Sequence, residues 1–103
     1  MKDGSPLTDN IKKEMKVLER TIKLLGLIEK HQPISINKLS QLSELPEHKV
    51  RYSLRMLQKE RLIEPTSKGA VTTEKHDQFK NHLRDLLNRL SELSMKLQNQ
   101  MSK

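Results

Sequence analysis

The chain has 103 residues, no cysteine, 32% charged residues and a formal net charge of +7. That length sets one domain with a single modest core, and one Phe, one Tyr and no Trp leave that core to Leu, Ile, Val and Met. The composition excludes disulfides and thiolate chemistry, and no apolar run approaches the roughly 20 residues of a membrane span. The positive charge is spread along the sequence rather than gathered in a tail, which favours a polyanionic partner once a fold collects it.

Residues 1–8 read as a flexible N-terminal tail without the charged-then-apolar pattern of a signal peptide, so a cytoplasmic location is expected. Ser5 or Thr8 is placed to cap a first helix, with Pro6 tolerated in its first turn. From about Asp9 to Lys30, Ile11, Met15, Leu18, Ile22 and Leu25 recur at steps of four and three. Val17, Leu24, Leu27 and Ile28 widen this stripe toward the C-terminal half, so the helix needs neighbours on two sides. His31-Gln32-Pro33 ends it.

Ser35 is a natural N-cap for a short second helix with Ile36, Leu39 and Leu42 inward, and Ile34 is set to pair with a hairpin. Ser43-Glu44-Leu45 forms a turn with Leu45 as its buried plug. A third helix spans about residues 46–59, with Val50, Leu54 and Leu57 at i, i+4 and i+7 on one buried face and Met56 at its border. Leu62-Ile63 then leads into a hairpin over about residues 62–73, tipped by Pro65-Thr66-Ser67-Lys68-Gly69, where Gly69 suits a positive φ. Thr73 and Glu74 supply a cap and an acidic first turn for a last helix over residues 74–103. There Phe79, Leu83, Leu86, Leu90, Leu93 and Leu97 form a heptad seam. At the standard rise the helix is roughly 40 Å long, more than a core of this size covers, so the seam calls for a partner.

The fold class expected is mainly α with a small β-hairpin. The element order over about residues 9–76, the stretch LPEHKVRYSLRMLQKERLIEP and the VTTEK passage after the wing resemble the winged-helix (winged helix-turn-helix) DNA-binding family, with residues 9–73 as the DNA-binding domain. With the terminal helix added, the layout is similar to small archaeal or bacterial transcriptional regulators that dimerise through a C-terminal helix. One departure is Pro46, which stands where the family often places Ser or Thr and has no backbone N–H to offer a phosphate.

The resemblance implies double-stranded DNA as partner, the third helix in the major groove and the hairpin wing on the backbone or minor groove. Opposite the buried face lie Glu47, His48, Arg51, Tyr52 and Arg55. Arg51 and Arg55 suit a guanine edge or a phosphate, Tyr52 offers a ring and a hydroxyl, and His48 donates or accepts. Glu47 repels phosphate unless it meets a cytosine amino group or a neighbouring Arg. Lys49, Lys59 and Arg61 are placed for backbone contacts, Lys68 at the wing tip for the minor groove or backbone, and Ser35 and Lys38 at the start of the second helix for a phosphate.

Phe79, Leu83, Leu86, Leu90, Leu93 and Leu97 are the expected homodimer seam; Arg89 and Lys96 fall at g, and no acidic residue stands at e. A parallel pair therefore gains no g-to-e salt bridges, and an antiparallel pair or packing on the partner's first helix is as compatible. The histidines His31, His48, His76 and His82 lack metal-ligand spacing, and no glycine-rich phosphate loop or nucleophile-base arrangement is present. The sequence thus predicts no metal, cofactor, small-molecule ligand or enzymatic activity. Two other readings keep the same fold: a winged-helix protein-interaction module, and a chromatin-type protein binding DNA without sequence preference.

Overall fold

The computed structural model describes residues 5–102. It contains α1 (Pro6–His31), α2 (Ile36–Ser43), α3 (Glu47–Lys59), β1 (Ile63–Thr66), β2 (Gly69–Thr72) and α4 (His76–Met101). The expected class holds: mainly α, with a small hairpin and a long last helix. The chain divides into two compact units, with the boundary between Thr73 and Glu74.

Helix α1 starts earlier than expected. Ser5 and Thr8 form a reciprocal capping box over Pro6 at the first position, so residues 6–8 are the helix's first turn and not tail; residues 1–4 lie outside the described ones. Its core face also differs from the expected stripe. Thr21, Leu24, Leu25 and Ile28 are buried, Leu18 and Ile22 are half-buried, and Leu7, Ile11 and Met15 are exposed. The reason is what packs there: α2, α3 and β2 all meet α1, and they cover the face that the second set of apolar residues creates in its C-terminal half.

Ser35 caps α2 by accepting the Lys38 N–H at 3.2 Å. Leu39 is fully buried, Ile36 half-buried and Leu42 exposed. At the other end Glu44 adopts φ 59°, and Lys23 Nζ donates to the Ser43 carbonyl at 3.1 Å, a cation at a helix C-terminus. Leu45 is half-buried rather than a buried plug.

Pro46 is the N-cap of α3 rather than its first residue; its carbonyl accepts from Lys49 N and Val50 N. Val50, Leu54 and Leu57 face inward as expected, joined by Ser53, whose Oγ lies 2.8 Å from Thr21 Oγ1 in a buried hydroxyl pair between α1 and α3. The helix ends in a Schellman pattern: Arg61 N donates to Gln58 O, Leu62 N to Leu57 O, and Arg61 holds φ 61° where glycine is usual.

The hairpin is antiparallel, with Glu64 opposite Val71 and Pro65 opposite Ala70. Its strands run further than expected, so the tip shrinks to Ser67-Lys68. Ala70 spends both its N–H and its carbonyl on Ile34, at 2.8 and 3.1 Å, which makes Ile34 a one-residue third strand. Pro65 therefore faces a non-hydrogen-bonded pair and removes no ladder bond. Gly69 holds φ 130°, and a Cβ there would sit 2.7 Å from Ile34 N and closer still to its carbonyl carbon. Thr73 does not cap α4. Its hydroxyl donates to Arg61 O at 2.6 Å and its N–H to Leu62 O, closing the hairpin, while α4 starts at His76 with Lys75 as N-cap.

In α4, Phe79 and Leu83 are half-buried, and Leu86, Leu90, Leu93 and Leu97 are exposed, as is Leu87 beside them. Among the described residues no helix is long and apolar enough to cross a membrane, and no three His, Asp or Glu side chains cluster as a metal site.

Candidate nucleic-acid interface

Burial of Val50, Ser53, Leu54 and Leu57 fixes the rotation of α3, and helical periodicity then turns His48, Arg51, Tyr52, Arg55 and Lys59 outward; all five are exposed. Tyr52 is 46% exposed, so its ring is not consumed by packing. Lys49 is exposed on the flank of α3 turned away from the hairpin.

The wing tip is held from within. Thr66 Oγ1 donates to Gly69 O at 2.6 Å and accepts from Lys68 N at 3.2 Å, which fixes the backbone from which the Lys68 side chain extends. The base of the hairpin is tied to the end of α1, where Gln32 Oε1 accepts from both Thr72 N and Thr72 Oγ1.

Between α3 and the wing runs a groove of about 740 Å³. Arg51, Arg55 and Gln58 line it from α3, and Ser67 and Lys68 from the wing; Ile34, Leu54, Ile63 and Ala70 form its floor. Glu47 lies here too, and its carboxylate accepts from the Arg51 guanidinium at 3.2 Å across one helical turn. Glu47 thus meets a neighbouring arginine, one of the two settings in which a carboxylate is tolerable on this face. Both side chains of the pair are about half exposed, so water screens it strongly.

A smaller concavity of about 360 Å³ adjoins, lined by His31, Ser35, Lys38 and again Lys68. Ser35 and Lys68 are common to both hollows. Ser35, Lys38, Arg51, Arg55 and Lys68 therefore share one stretch of surface, built from three successive elements: α2 with its cap, α3 and the hairpin. His48, Tyr52 and Lys59 lie on the outer crest of α3, and Lys49 stands apart from both. Sequence reasoning missed Gln58, although its spacing of seven from Arg51 puts it on the same flank, and His31, for which no sequence signal existed.

No protein-family model and no curated protein matches the chain. Solved structures similar to it include the following two. One is the activation domain of the phage T4 transcription factor MotA, with a TM-score of 0.57 at 19% identity over 75% of this chain and 82% of that one. The other is a protein of unknown function from Listeria innocua Clip11262, with a TM-score of 0.53 at 21% identity over 84% of this chain and 71% of that one. The fold is winged-helix-like. At such identities the likeness extends to architecture alone.

Proposed function

We propose that this protein is a non-enzymatic, dimeric DNA-binding transcriptional regulator whose α3 enters the major groove while the wing follows the backbone or minor groove. The observation that carries the reading is the shared groove: Ser35, Arg51, Arg55 and Lys68 line it together, and Ser35 and Lys68 link it to Lys38. In that arrangement Arg55 is the residue for a guanine edge, since Arg51 already serves Glu47. Lys38 and Lys68 take phosphates. The Ser35 hydroxyl, which accepts the Lys38 N–H, still has its own proton to donate to a phosphate oxygen. The likeness to part of a transcription factor agrees with a role in transcription.

A second reading has specific support. The groove floor is apolar and the cations Arg55 and Lys68 line its walls, features that suit an acidic peptide with an apolar side chain, and the MotA neighbour is an activation domain. Titrating a labelled mixed-sequence duplex at two salt concentrations, followed by anisotropy, separates the two. DNA binding predicts micromolar or tighter affinity with a log–log salt slope of about −2 per copy, roughly −0.9 for each of the phosphates taken by Lys38 and Lys68. Arg55→Ala should weaken a preferred site about tenfold or more while retaining binding to other sequences. Absence of binding at low salt would overturn this proposal in favour of the protein-interaction module.

A further inference from the structure

Two helices of this chain expose apolar stripes with the same heptad step. On α1, Ile11 and Met15 are 52% and 61% exposed, and Leu18 and Ile22 continue the stripe half-buried. On α4, Leu86, Leu90, Leu93 and Leu97 are 40–48% exposed. Such faces are covered by a second helix of matching period. The charges beside the stripes select which one.

One edge of the α4 stripe carries two cations at successive g positions, Arg89 and Lys96, after His82 at the g position before them. If α4 paired antiparallel with its own mate, g would face g and this edge would meet itself. In a parallel pair g faces e, where Leu87, Ser94 and Met101 supply no carboxylate. Helix α1 answers the pattern. In the frame with Ile11 and Leu18 at d and Met15 and Ile22 at a, its g position between Ile11 and Met15 is Glu14.

We infer that α4 of one copy lies antiparallel along α1 of a second copy, and reciprocally, in a two-fold dimer. The inference rests on the dimeric reading above and names its interface. Only one antiparallel register sets all four exposed heptad leucines of α4 against the α1 stripe. Ile11 faces Leu97, Met15 faces Leu93, and Ile22 faces Leu86. That same register, set by the apolar residues alone, puts Glu14 between Arg89 and Lys96. The coincidence of apolar cover and charge pairing is what a partner helix requires and what α4 paired with α4 lacks.

Because the natural chain is free of cysteine, cross-linking gives a clean test. Two single-cysteine variants, Met15→Cys and Leu93→Cys, both at exposed positions, are mixed and oxidised; any disulfide joins separate copies. The inference predicts that the mixed disulfide dominates over either homodisulfide, and that sedimentation of the natural chain gives a dimer. Glu14→Lys should raise the dimer dissociation constant about fivefold, and adding Lys96→Glu should recover most of it. A dimer that cross-links through Leu93→Cys to itself alone would overturn this interface while leaving the dimer intact. A monomer in sedimentation would overturn the dimer as well.

Discussion

Helices α1 and α4 are both 26 residues long and both carry apolar residues at helical steps, yet they end up in different physical situations. The C-terminal half of α1 buries Thr21, Leu24, Leu25 and Ile28 beneath α2, α3 and β2, whereas α4 buries His76 among its described residues and leaves four heptad leucines in solvent. Periodicity fixes which residues share a face. It does not say which face a neighbour will cover, and α1 shows this within one helix, since its N-terminal stripe is exposed while a neighbouring stripe is the core.

The largest expected effect cuts straight across that contrast. Leu24 is fully buried, and Leu24→Ala should cost about 3 kcal/mol in urea unfolding through lost burial and the cavity left behind. Leu93→Ala, measured at a dilution that keeps the chain monomeric, should change stability by less than about 0.5 kcal/mol. Equal losses would mean that α4 belongs to the same cooperative core as α1. Next in size is Gly69→Ala, which forces a Cβ into the Ile34 backbone at a φ that side chains avoid. It should cost about 2 kcal/mol and loosen amide protection at Ile34 and Ala70, while the helical signal of α4 persists. A smaller loss than that of Gly69→Ala belongs to the hydroxyl pair. Thr21→Val leaves Ser53 with a buried unpaired group and should cost about 1–2 kcal/mol, but Thr21→Val with Ser53→Ala should recover most of it. Failure of the double variant to recover would mean that packing, not the hydrogen bond, joins α1 to α3 there.

Much of the architecture was legible because local rules agreed. Ser5 and Ser35 cap the helices they were expected to cap, Val50, Leu54 and Leu57 point inward, Ile34 pairs with the hairpin, and Gly69 takes a positive φ. The misses have a common cause, a side chain whose partner lies far away in sequence. Thr73 has the look of a cap, but the Arg61 carbonyl claims its hydroxyl. Ser53 and Thr21, outside the apolar stripes, are buried because each supplies the other's hydrogen bond. Pro65 looks like a strand breaker, but Ala70 turns its hydrogen bonds to Ile34 and leaves room for proline. At the candidate interface the individual cations on α3 could be read from helical angle. That Lys68 joins Arg51 and Arg55 on one side and Lys38 on the other depends on how the hairpin docks, which no local spacing encodes.

That docking has a consequence for how the cations act. The hairpin is clamped to Ile34 through both backbone groups of Ala70 and to the end of α1 through Gln32. Ile34 in turn leads directly into the Ser35 cap of α2. The wing is therefore not a loose arm that a ligand must first order. The backbone carrying Lys68 is already set against α2 and α3, so a polyanion entering the groove meets a charge array whose loop-ordering entropy was spent when the chain folded. Association should then be fast and governed by diffusion and charge, with no slow closing step.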